Sequence, residues 1–182
     1  MPDPQPAVRL VPGPQPPAAP RRYRDVAELL AGATERTVLA EVPGKSGASL
    51  ERVVIGGERY ILKHLDLADD WTMRASGSLR GAPLTLWVRG IVARRPDCFN
   101  QPIVGVAPED GAASRGRVPS GGCAVLMRDV APWLVPVSDE PISLDQHLRF
   151  LRHMATLHAS FWGCGAALDV VPAMHRYLEL SP

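Results

Sequence analysis

Two runs of β-branched and aromatic residues, Ser49–Ile55 and Arg59–His64, are separated by nothing but Gly56-Gly57-Glu58. A connection that short folds back as a hairpin of antiparallel strands, and its glycines supply the positive φ that such turns demand. A third run, Arg36–Val42, is joined to the hairpin through Pro43-Gly44-Lys45-Ser46-Gly47-Ala48, so the three form an antiparallel meander. Ile103–Val106 and Cys123–Met127 read as two further strands, linked by the Gly/Ser/Arg-rich loop Pro108–Gly122.

Helical periodicity surrounds these strands. Val26, Leu29 and Leu30 behind Asp25 suit a short amphipathic helix that Gly32 ends. Leu84, Trp87, Val88, Ile91 and Val92 recur at steps of three and four, which predicts a helix from about Pro83 to Ala93, stopped by Pro96. Residues 66–78 are polar and read as irregular. Arg128–Pro141 reads as a linker. Ser143-Leu-Asp-Gln146 fits a capping box. The helix it opens carries Leu148, Leu151, Ala155 and Trp162 down one stripe, with Phe150, Met154, Leu157 and Phe161 beside it, and Gly163 and Gly165 at its end. A stripe that wide predicts burial on most of the circumference.

The first 22 residues hold 8 of the chain's 19 prolines, a composition that cannot build a core and reads as a disordered, polyproline-like tail. The remainder of the 182 residues suffices for an ordinary core. A net charge of +1 excludes the strong positive field of a nucleic-acid coat or a polybasic membrane anchor. No stretch approaches the ~20 apolar residues of a membrane span, and the N-terminus shows no charged and apolar leader pattern. Cys98, Cys123 and Cys164 are odd in number and form no CxxC pair, so they read as reduced, mostly buried thiols of a cytoplasmic protein.

All basic residues but Lys45 and Lys63 are arginine. Gly44-Lys45-Ser46 invites a P-loop reading, but the Walker pattern needs glycine at position 39, where the chain has Leu39, and a strand follows instead of a helix. A glycine-containing turn between antiparallel strands is a different phosphate device. Gly44 and Gly47 let backbone N–H groups approach an anion, and Ser46 adds a hydroxyl donor. Lys63 lies one hairpin later, in the otherwise apolar Tyr60-Ile61-Leu62-Lys63, where an ammonium is costly without an anionic partner. The bland alternative is a lysine snorkelling from a strand end. His147, His153 and His158 lack the i, i+4 spacing of a helical metal pair, and no metal site is expected.

In this order and spacing the residues resemble the protein-kinase-like fold, specifically the aminoglycoside phosphotransferase and choline-kinase-like families. The resemblance runs from about Asp25 to Gly163. It takes in the loop Pro43–Ser49, the lysine strand Arg59–Lys63, the helix around Leu86–Gly90, the strand Ala124–Asp129 and the element Leu157-His-Ala-Ser-Phe-Trp162. The fold it implies is α+β: residues 23–131 as a kinase-like N-terminal lobe, an antiparallel sheet of about five strands with one packed helix. Residues 132–182 would be a linker and the helical start of a C-terminal lobe. Lys63 looks like the lysine that binds the phosphates of ATP, with Gly44, Ser46 and Gly47 as the loop covering them. The backbone at Met127–Asp129 looks like the adenine-pairing hinge, with the Asp129 carboxylate structural.

Two features depart from that pattern. No glutamate stands between Glu58 and Glu109 to pair with Lys63, and Asp69 and Asp70 are the nearest substitutes. A His-x-Asp-x-x-x-x-Asn segment and a later metal-binding Asp are missing, so no catalytic residue is assigned, and the Mg²⁺ ligands would lie in the remainder of the C-terminal lobe. The expectation is a truncated small-molecule phosphotransferase that holds nucleotide and transfers no phosphate alone, its acceptor some hydroxyl-bearing small molecule. The alternative is a regulatory or protein-interaction module built on the same lobe, with Trp133, Phe150 and Phe161 uncovered. A complementing chain, or a homodimer over the open face, is the expected partner, and neither nucleic acid nor membrane is.

Overall fold

Gly56 and Gly57 take φ of +59° and +83°, the paired positive values of a two-residue hairpin turn, and Ile55 sits directly opposite Glu58. That turn sets the register of β2 (Ser49–Ile55) against β3 (Glu58–Leu65), residue by residue, to Ser49 opposite His64. The computed structural model describes residues 21, 23–39, 47–75, 82–109, 122–134 and 140–164. Gly44, Lys45 and Ser46 lie outside them, as do nearly all of the proline-rich tail, most of the loop 108–122, and Gly165 with the residues after it.

β1 (Ala33–Val38) pairs with β2, while β4 (Ile103–Pro108) and β5 (Cys123–Arg128) complete an open, fully antiparallel sheet in the order β1-β2-β3-β5-β4. With its few helices this is an α+β architecture. β1 begins three residues before the Arg36 read from sequence, because Ala33 still pairs with Ile55.

The two sheet faces are covered by different helices. On one, α1 (Val26–Leu29) brings Leu29 and Leu30 onto Val53, Leu62, Ala107, Ala124 and Leu126. The Asp25 carboxylate accepts from the Glu28 N–H at 2.7 Å and so caps α1. On the other face, α3 (Ala82–Val88) lays Trp87 against Val106, Cys123 and Val125. The Trp87 indole N–H donates to the Arg21 carbonyl at 2.9 Å, tying the residues before α1 to the helix on the opposite face. The long helix expected over Pro83–Ala93 is divided: α3 ends at Val88, Gly90 takes φ +68°, and Val92–Arg94 form a separate 3₁₀ turn.

The irregular stretch expected at 66–78 contains α2 (Trp71–Ala75), because Asp70 caps it. The Asp70 carboxylate accepts from the N–H of Thr72 (2.9 Å) and of Met73 (3.0 Å). This orders a turn whose side chains show no periodicity. α4 (Leu144–Ser160) starts where the capping box places it, with the Ser143 hydroxyl accepting from the Gln146 N–H at 3.2 Å. Its burial differs from expectation: no residue of α4 is buried, and only His153, Met154 and Leu157 along it are half-buried, on one side. Among the cysteines Cys123 alone is buried; Cys164 is half-buried and Cys98 exposed, on the loop ahead of β4. Among the described residues no helix is long and apolar enough to cross a membrane.

Leu62 is fully buried at the centre of the α1 core. Leu62→Ala is expected to cost about 2–5 kcal/mol of unfolding free energy in urea titration, whereas Leu134→Ala, at an exposed site, is expected to cost almost none.

Candidate functional site

β3 lies between β2 and β5, and its side chains alternate between the two cores. Tyr60 and Leu62 face α1, with His64 on the same side; Ile61, Lys63 and Leu65 face the α3 side. Lys63 stands directly opposite Leu50 on β2 and Val125 on β5. Its nearest neighbours on that face are therefore apolar in every strand direction. The side chain is half-buried and makes no ion pair or side-chain hydrogen bond among the described residues. Neither Asp69 nor Asp70 pairs with it: Asp70 is 2% exposed and turned into the cap of α2.

Gly47 ends the β1–β2 connection at φ +90°, pressed against the next segment of chain. A Cβ there would overlap the carbonyl oxygen of Asp69, so only glycine fits. Gly47 is thereby pinned beside the turn that follows β3, at Asp69, six residues beyond Lys63.

At the other end of β5, Met127 is opposite Ile61 on one side and Ile103 on the other. The Arg128 N–H donates to the Pro102 carbonyl at 2.9 Å, and the Asp129 N–H to the Arg59 carbonyl at 3.2 Å. The Asp129 carboxylate accepts from the Ala131 N–H at 3.1 Å and stands 3.9 Å from the Arg59 guanidinium, a structural role. Val130 is left as the residue whose N–H has no partner among the described residues in this stretch.

The α1 face carries a charge relay that sequence reasoning missed. Arg36 on β1 grips Glu51 on β2 with two N–H groups, at 2.8 and 2.9 Å. Glu51 in turn reaches the His64 Nε2 at 3.0 Å, and Glu109, just past β4, reaches its Nδ1 at 2.5 Å. An imidazolium donating from both nitrogens satisfies both carboxylates. The hydrogen bond to Glu109 raises the His64 pKa above its ordinary value, against the opposing effect of burial. The Arg36 fork holds the Glu51 carboxyl below the usual range. Burial pushes the Cys123 thiol up to about 11, leaving it inert near neutral pH. Among the described residues no cluster of three or more His, Cys, Asp or Glu side chains suits a metal ion.

No protein-family model and no curated protein matches this chain. The geometry therefore carries the functional reading.

A groove of about 880 Å³ lies away from Lys63, between the α3–3₁₀ segment and the end of α4. Leu86, Ile91, Val92 and Phe99 form one wall, and Leu157 and Phe161 the other. The His153 ring meets that of Phe99 with centroids 6.0 Å apart. The groove includes none of Lys63, Gly47, Met127 or Asp129.

The relay makes stability pH-dependent with a defined sign. With its pKa raised on folding, His64 holds its proton in the native state at pH values where the unfolded chain has lost it. Its stabilisation is complete below pH 6.5 and is lost as pH climbs through the native pKa. Thermal melts are expected to fall across that window in the wild type and to flatten in His64→Gln.

Proposed function

We propose that residues 23–131 are the nucleotide-binding lobe of a cytoplasmic, aminoglycoside phosphotransferase-like kinase of small-molecule hydroxyl compounds. The observation that carries this reading is Lys63: a cation on an interior strand, among apolar neighbours, with no counter-charge among the described residues. Such a group is stabilised by an anion that arrives from outside. Its position supports the assignment further. The lysine lies on the third strand, a helical connection follows, and a strand leading to a linker closes the sheet, as in kinase-like lobes.

The residues present fit ATP in part. Lys63 would hold the phosphates, and Gly44, Ser46 and Gly47 belong to the loop that would cover them. Gly47 has a second, structural reason to be glycine in its contact with Asp69. At the hinge the Asp129 N–H is committed to Arg59, so the Val130 N–H is the donor available for a purine edge beside Met127. When bound, ATP supplies the phosphoryl group, and Mg²⁺ would neutralise its charge. The 182 residues hold no His-x-Asp-x-x-x-x-Asn segment, so this lobe would bind nucleotide without turning it over. A non-catalytic interaction module is the second reading, favoured by Trp133 at 71% and Trp162 at 87% exposure.

Calorimetric titration with MgATP tests the assignment. A charge-assisted hydrogen bond to phosphate contributes roughly 1.5–3 kcal/mol, so Lys63→Ala is expected to weaken binding about 10- to 100-fold. The melting temperature should barely change, because Lys63 has no ion pair or side-chain hydrogen bond to lose among the described residues. No heat from the wild type, or equal affinity in Lys63→Ala, contradicts the nucleotide reading.

A further inference from the structure

α4 carries two apolar stripes, and the lobe uses only one. His153, Met154, Leu157 and Phe161 are half-buried; Leu157 and Phe161 wall the groove, and His153 meets Phe99. The other stripe is Leu144, Leu148, Leu151 and Ala155, spaced four, three and four residues apart as in the seam of a paired helix. It faces outward, with Leu144 70%, Leu148 38% and Leu151 48% exposed. Asp145 and Arg152 border this stripe on the same edge, one heptad apart. Neither makes an ion pair among the described residues.

We propose that this stripe joins two copies of the chain through an antiparallel α4–α4 pair. Centred between Leu148 and Leu151, the pair sets each Leu148 against Leu151 of the second copy. Each Leu144 then meets Ala155 of the second copy, large against small at both ends. The same register brings Asp145 of one helix beside Arg152 of the other, twice over by the two-fold symmetry. In a parallel, in-register pair Asp145 and Arg152 would each lie level with its own copy, and this cross-helix pairing of opposite charges would be lost. The sequence is thus complementary to itself in one direction only, and this selects a second copy as the occupant. The pairing makes no use of Lys63 and stands independently of nucleotide binding. α4 has 17 residues, about 25 Å of helix, so the seam is short and the dimer should dissociate on dilution.

Sedimentation velocity on the full chain over a dilution series reads the proposal directly. The wild type is expected to pass from dimer to monomer as concentration falls. Arg152→Asp, which sets two carboxylates together, should raise the dissociation constant at least tenfold. The swap D145R/R152D should recover most of the loss, which general damage to the helix cannot do. L148E/L151E should be monomeric throughout, with far-UV circular dichroism confirming that α4 is intact. A wild type monomeric at every concentration overturns the proposal, including the case in which a different protein occupies the stripe. So does a dimer that survives L148E/L151E, or a charge swap that fails to recover association while the helix is intact.

Discussion

Strand β3 is hydrogen-bonded on both sides, to β2 and to β5, and the alternation along it assigns consecutive residues to opposite cores. Leu62 anchors the α1 face and Lys63 points to the α3 face, one residue away. The two placements are inseparable. A slip of one residue in the β2–β3 register would carry the lysine into the leucine core and turn Leu62 to the α3 face. The Gly56-Gly57 turn prevents that slip, since its two positive φ values suit a two-residue connection and no other. The chemistry available to this lobe therefore begins with a backbone turn more than five residues from the lysine.

The sheet disposes of its charges in two different ways. On the α1 face Arg36, Glu51 and His64 on three neighbouring strands and Glu109 just past β4 alternate in sign, so each group has its partner within the fold. On the α3 face Lys63 has apolar neighbours and no internal partner among the described residues. A chain able to build the first arrangement could have neutralised the second in the same manner. The contrast suits the proposed anion-binding role, which needs a charge already desolvated in part and without a counter-charge among the described residues. α4 shows the same logic in apolar form, one stripe spent on the lobe and one left facing outward.

Much of this was legible in the sequence, for identifiable reasons. The hairpin, the meander and the caps at Asp25 and Ser143 rest on local chemistry, and the structure has them. Lys63 stood out because a charge in an apolar strand violates local composition. The Arg36–Glu51–His64–Glu109 relay was half legible: the turn fixes β2 against β3, which puts Glu51 and His64 on one face. Glu109 was not, because its place depends on how β4 lies against β5 across a long loop. α2 was missed because a buried carboxylate cap, not periodicity, creates it. The exposure of α4 was misjudged for a related reason: a wide apolar stripe says that a helix wants covering, not what covers it.

The central claim is that Lys63 is held for a nucleotide phosphate. Since Lys45 and Lys63 are the only lysines, an amine-reactive acylating reagent followed by mass spectrometry reads Lys63 in isolation. The account predicts that MgATP slows acylation of Lys63 severalfold while the α-amino group reacts at an unchanged rate. Acylation of Lys63 at the same rate with and without saturating nucleotide would contradict it.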